Sequence, residues 1–214
     1  MLTVSLNSWC CSTTGQVRIY PNLPHVSRTD RGNIARDIQS LEMMPLGPLN
    51  GKNFGTSISP WIVTLDALER FRTEGAKHEE AVASYLADPH TGNYSVDLTV
   101  EIIAHDSKTV TCRSNLGKSL YWNFRQMLAH QTVGGCSLET GDLLASGTVS
   151  GESEDARGCL LETTFGGKNP LVLQDGTSRT YLENGDKVRL TGLAGPGVGF
   201  GDCVGVLKPA RPWK

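Results

Sequence analysis

The sequence predicts a mostly β chain with one principal helix, an α+β arrangement, and three observations point there. Glycine and proline are frequent, 24 and 10 of 214 residues, which suits many tight turns better than long helices. From Leu143 onward, short apolar stretches alternate with turn residues. One sustained segment, Asn115 to Gln131, carries apolar residues at spacings of three and four.

Met1 to Asn33 is rich in Ser, Thr, Asn and Pro and holds neither a 3.6 nor a 2.0 period, so residues 1–33 are expected to be poorly ordered. Good helix formers from Ala35 to Glu42, stopped before Pro45, predict a short helix. A Gly/Pro-rich loop follows from Pro45 to Thr56, the kind of segment that carries chemistry when a scaffold holds it. Tyr94, Val96, Leu98, Val100 and Ile102 alternate with polar residues and predict a half-buried strand. Asn115 is placed to cap a helix bearing Leu120, Tyr121, Phe124, Met127 and Leu128, which Gly134-Gly135 ends. Further strands are predicted at Leu143–Val149, Cys159–Phe165, Leu171–Gln174, Thr180–Leu182, Lys187–Thr191 and Asp202–Leu207. Asp175-Gly176 and Asn184-Gly185 read as hairpin turns.

Charge is balanced, with 20 basic and 22 acidic residues and a net of -2, and no basic stripe offers itself to phosphates. Nucleic acid is therefore not an expected partner. No apolar run reaches the ~20 residues of a membrane span, so no membrane association is expected. The six cysteines contain no C-x-x-C pair and read as reduced thiols of an intracellular protein. Met1 to Gly15 has no basic start and no apolar core, hence no secretory signal is expected.

Two familiar motifs fail. Gly195-Pro196-Gly197-Val198-Gly199-Phe200-Gly201 has the glycines of a phosphate loop, but a strand-like run follows where a helix N-terminus is needed. It reads as a turn between strands. His78-Glu79-Glu80 lacks the second histidine of a zinc-protease helix.

Three polar clusters remain. Arg36, Gln39 and Met43 share one face if residues 35–42 are helical and the turn continues. Lys52 and Thr56 flank Phe54-Gly55 in the stiff loop. Ser146-Gly147-Thr148-Val149-Ser150-Gly151 sets hydroxyls at a strand end bounded by glycines, where a ligand can approach closely. Glu162 lies inside Leu160-Leu161-Glu162-Thr163-Thr164-Phe165, where alternation sends it either to solvent or into the interior opposite a cation such as Arg36.

In order and spacing these residues carry a resemblance. Ala35-Arg36-Asp37-Ile38-Gln39, Pro45-Leu46-Gly47-Pro48, Gly51-Lys52, Phe54-Gly55-Thr56, Ser59-Pro60-Trp61, Cys112-Arg113-Ser114-Asn115, Tyr121-Trp122, Gly141-Asp142 through Thr148, and Gly199-Phe200-Gly201 all take part. From about Ile34 to Leu207 the chain resembles the C-terminal portion of the fumarylacetoacetase branch of the fumarylacetoacetate hydrolase family. The resemblance implies a mixed β-roll, truncated here, with residues 34–214 a partial catalytic domain. It also implies a cytoplasmic homodimer, a small diketo-acid substrate, 4-fumarylacetoacetate, cleaved at a carbon–carbon bond, and a Mg2+ or Ca2+ ion chelated by that substrate. By position, Arg36, Lys52 and Glu162 would be catalytic, Gln39, Met43 and Thr148 would contact substrate, and Lys52 and Thr56 would line the metal site. An ammonium cannot ligate a cation, so Lys52 would act through its backbone, a water or the substrate.

Departures from the family pattern shape the expectation. Gly32, Asn33 and Ile34 stand where the family has Asp-Trp-Ser, whose Asp ligates the metal, and Met43 replaces a tyrosine. Nothing in residues 1–33 resembles the family's His–Glu base or its remaining metal carboxylates. Calcium takes about 6–8 oxygen ligands, so metal binding by this polypeptide is expected to be weak or absent, and hydrolysis likewise. The alternative is a non-catalytic scaffold that pairs with an intact homologue and modulates it. A third reading, an acylpyruvate hydrolase or decarboxylase, sits badly with Pro45-Leu46-Gly47-Pro48.

Overall fold

A computed structural model describes residues 40–48, 59–78, 81–89, 92–139, 142 and 144–209. Its centre is a four-stranded antiparallel sheet in the order β4-β3-β7-β8, made of β3 (Asp97–Ala104), β4 (Ser107–Asn115), β7 (Lys187–Leu193) and β8 (Gly199–Val206). Two small two-stranded pairs flank it. One joins β1 (Arg72–Thr73) to β2 (Asn93–Tyr94), the other β5 (Leu171–Val172) to β6 (Ser178–Arg179). Sheet with few helices fits the expected α+β class, and every pairing among the described residues is antiparallel.

Alternation builds the sheet. Val100, Ile102 and Ala104 of β3 and Val188 and Leu190 of β7 turn one face inward, where Leu160, Leu173, Leu182, Cys112 and Cys203 complete a core. In register, Val100 faces Leu190 and Ile102 faces Val188, so the apolar sets of the two strands stack on one side. A second core gathers Val63, Leu68, Tyr94, Val96, Leu116, Leu120, Val149 and Phe200. Ser59 latches this part of the chain to the sheet, its hydroxyl donating to the Phe200 carbonyl at 2.8 Å.

Strand β4 is an element the sequence reading left out. β3 turns into it through His105-Asp106, both at positive φ (47° and 63°), a two-residue hairpin that normally recruits glycine or asparagine. Val100 pairs with Cys112 and Glu101 with Val110, so Thr111 is the extra residue of a β-bulge. The Thr111 hydroxyl donates to the Val100 carbonyl at 3.3 Å. That extra residue puts Thr111 and Cys112 inside in succession and hides the period of two.

Five other expectations need correction. The helix expected from Asn115 is two helices, Leu116–Ser119 and Phe124–Val133. Asn115 caps the first as expected, accepting from the Lys118 amide. Asn123 then starts the second with a capping box in which Asn123 accepts from the Gln126 amide and Gln126 from the Asn123 amide. Between them Tyr121 and Trp122 stand against the His78 ring, 4.6 and 4.8 Å between centroids. Cys159–Phe165 is not a strand: Leu160–Thr163 is one helical turn. Residues 144–149, expected as a strand, run without regular pairing, and 180–182 likewise. Asn184-Gly185 is a turn but not a hairpin, because β6 pairs with β5 and β7 with β3 and β8.

Asp175-Gly176 does lie in the β5–β6 hairpin, with Gly176 at φ 82°. The Gly195–Gly197 run is the turn between β7 and β8, as its sequence context requires. Cys112, Cys159 and Cys203 are buried free thiols. No helix among the described residues is long and apolar enough to cross a membrane. Residues 1–33 lie outside the described residues.

Candidate functional site

Of the candidate residues, Arg36, Gln39, Lys52 and Thr56 lie outside the described residues, while Met43, Thr148 and Glu162 lie within them. Met43 is in the turn over residues 43–46 and is 55% exposed. It shares no hydrogen bond or core cluster with Thr148 or Glu162 among the described residues. Thr148 and Glu162 are linked indirectly: Thr148 packs on Gly158, whose amide donates to the Ser150 hydroxyl that bonds Glu162.

The joining begins at glycine. Gly147 bends the incoming chain with φ 80°, and Thr148 and Val149 then run flush against Gly158. A Cβ on Gly158 would stand 2.6 Å from both the Thr148 Cγ2 and the Val149 carbonyl oxygen, so no other residue fits between these backbones. Contact this close lets the Gly158 amide donate to the Ser150 hydroxyl at 3.0 Å, while the Gly151 amide donates to the Ala156 carbonyl at 2.9 Å. Together these two bonds close the base of the loop from Glu152 to Asp155.

The chain leaving Gly158 enters the Leu160–Thr163 turn. Leu160 is 3% exposed and points into the sheet core, which sends Glu162 outward on the opposite side. The Thr163 and Thr164 hydroxyls donate back to the Cys159 and Leu160 carbonyls at 3.0 and 2.6 Å. Phe165 ends the turn in the left-handed region, φ 50°, and Gly166 donates to the Leu161 carbonyl at 2.8 Å. A side chain there costs about 1–2 kcal/mol. The Arg157 guanidinium lies over the Phe165 ring, 4.6 Å from its centroid, a contact of about 0.5–2 kcal/mol that offsets part of the strain.

Glu162 is therefore an open carboxylate with one oxygen engaged: Ser150 Oγ donates to Oε2 at 2.5 Å. Its side chain is exposed, and Arg36, the cation the sequence offers it, lies outside the described residues. Beneath it Cys112 is a buried thiol whose pKa burial pushes up, which fits packing rather than nucleophilic work. The sequence reading noted the hydroxyls of Ser146 to Gly151 but not which of them mattered. Ser150 and the Arg157–Phe165 pair are what it missed. The signal available for Ser150 was its period-two spacing from Thr148, which places both on one side of an extended chain.

Among the described residues no three His, Cys, Asp or Glu side chains converge on a metal-sized site. The described residues supply hydroxyls, an exposed carboxylate and closely packed backbone at this surface.

Comparison with known proteins puts this surface in a family context. A model described as fumarylacetoacetate (FAA) hydrolase C-terminal matches residues 33–207. Over 183 residues the chain is 49% identical to a fumarylacetoacetase of Arabidopsis thaliana, covering 83% of this chain and 43% of the relative. A fumarylacetoacetase of Aspergillus fumigatus is 52% identical over 183 residues, covering 82% and 42%. The human fumarylacetoacetase is 41% identical over 181 residues, covering 82% and 43%. The chain thus spans less than half the length of these curated relatives.

Proposed function

Because the chain belongs to the fumarylacetoacetate (FAA) hydrolase C-terminal family, we propose that it is the substrate-orienting and oxyanion-stabilising part of a carbon–carbon bond hydrolase acting on 4-fumarylacetoacetate. Water adds to the ketone carbon, and the tetrahedral oxyanion collapses with cleavage of the carbon–carbon bond. Fumarate leaves as one product, and the acetoacetate carbanion takes up a proton to give the other. Arg36 and Lys52 stabilise the developing oxygen charge, an effect worth about 2.7–4 kcal/mol per donor. Glu162 holds these cations in orientation, and Gln39, Met43 and Thr148 contact the substrate. Thr56 and Lys52 would line the metal side of the site, Lys52 through its backbone, a water or the substrate.

The observation that carries this reading is the family match over residues 33–207, within which all seven of these residues fall. An outward-facing Glu162, bonded to Ser150, supports it. The 214 residues by themselves are proposed to be inactive, since the sequence offers neither the family's base nor its metal carboxylates.

The test uses two proteins, with fumarate release followed by proton NMR. One is the chain alone; the other is the chain fused behind the portion of the Aspergillus fumigatus relative that precedes the aligned segment. The fusion is expected to turn over and to lose about 10²–10³-fold in kcat with Lys52→Ala. A folded fusion without turnover would sink the assignment, and turnover by the chain alone would sink the claim of inactivity.

A further inference from the structure

An outward-facing carboxylate on a single helical turn has several rotamers open to it, yet the proposed reaction needs Glu162 in one. Among the described residues its carboxylate has one hydrogen-bond partner, the Ser150 hydroxyl at 2.5 Å. That hydroxyl is itself held. The Gly158 amide donates to it at 3.0 Å, so its lone-pair side is occupied and its proton turns to Glu162. Gly158 is confined, because the Thr148 methyl and the Val149 carbonyl lie against its Cα face. One rigid contact thus ties a substrate-facing residue, Thr148, to the carboxylate, through Ser150.

Resting on the functional reading above, we propose that Ser150 is a positioning residue for the hydrolysis. Its hydroxyl anchors Oε2 of Glu162 so that Oε1 faces the site, at a fixed distance from Thr148. Ser150 does not touch substrate. Its effect on rate passes through Glu162, and a misplacement of about 1 Å in such a group can cost about 10²-fold.

The decisive experiment is a double-mutant cycle in the fusion described above, using Ser150 and Glu162. Ser150→Ala is expected to lower kcat by about 10–100-fold with KM nearly unchanged, and Ser150→Thr, which keeps the hydroxyl, to restore most of it. In a Glu162→Gln background, Ser150→Ala is expected to cost less than about twofold, because coupled groups are not additive. Equal losses in both backgrounds, or a Ser150→Ala variant with kcat close to the parent, would overturn the inference. A second measurement on the 214-residue chain does not depend on turnover. With 13C-labelled glutamate and 15N-labelled backbone, Ser150→Ala is expected to move the Glu162 carboxyl and Gly158 amide resonances while the rest of the spectrum is kept. If the fusion proves inactive, the functional reading fails. An unmoved Glu162 resonance then separately rejects the Ser150 anchor.

Discussion

Replacing Asp186 with alanine is expected to be among the most damaging single changes in the described part of the chain. Arg179 and Asp186 are 6% and 3% exposed at their side chains and meet in a two-pronged contact, Nε to Oδ2 at 2.9 Å and an Nη to Oδ1 at 3.0 Å. Hydrogen bonding to Asp186, more than any other influence, raises the Arg179 pKa. Asp186 also accepts the Glu183 amide at 2.8 Å, which closes the turn before β7. Asp186→Ala strands the guanidinium in the interior with two donors unpaired, a loss of about 3–5 kcal/mol. For a domain of this size each kcal/mol lowers Tm by about 2–4 °C, so the fall is about 6–20 °C. Urea unfolding followed by tryptophan fluorescence and scanning calorimetry would measure both. Removing the pair together, Arg179→Met with Asp186→Leu, is expected to recover most of the loss, because no charge is then left buried. The exposed Arg72–Glu69 pair is a control: it is shorter, 2.7 Å, but at 33% and 50% exposure solvent screens it, and Glu69→Gln should move the urea midpoint far less than Asp186→Ala. A loss below about 1 kcal/mol for Asp186→Ala, or a double variant no better than the single, would refute burial as the deciding factor.

Three further outcomes follow from the geometry. Asp175 is held at about 2, below its usual 3.8, first by the Thr177 hydroxyl, then by the Thr177 amide and His105. A depressed folded value means its contribution is full above the ordinary carboxylate range and is lost as pH falls through about 2; Asp175→Asn should flatten that acid limb, and an unchanged limb in denaturation series would contradict the assignment. Gly158→Ala forces a methyl into a 2.6 Å gap bounded by backbone and should cost about 1–3 kcal/mol in urea unfolding; a neutral result would mean the contact is looser than described. Asn123→Ala removes a helix cap and the donor to Asp88, for about 1–2 kcal/mol, with faster exchange of the Gln126 amide as the local readout.

Local pattern made much of the fold legible. The alternation from Tyr94 to Ile102 and the apolar residues of 187–191 and 202–207 gave three of the four sheet strands, because one wet face leaves a clean period of two. β4 escaped because the Thr111 bulge breaks that period, a tertiary adjustment with no local signature. Leu160 to Phe165 was misread because β-branched and aromatic residues favour a strand, while the actual turn is set by Leu160 entering the core and by two threonines bonding backward. At the site, the family resemblance singled out Thr148 and Glu162. Their indirect link runs through Gly158 and Ser150, which lie close only because two loops pass flush, and a periodicity argument has no access to that.

The two hydrogen bonds at the base of the Glu152–Asp155 segment act as a collar. Residues beyond it are exposed, and the chain enters and leaves through a fixed gap set by Gly151 with Ala156 and Gly158 with Ser150. Closing a flexible loop grows costlier only slowly with its length, so extra residues added outside that gap change its entropy little and transmit no displacement inward. Related chains can therefore lengthen or rewrite this segment, or carry a tag in it, while the carboxylate on the far side of the collar keeps its place.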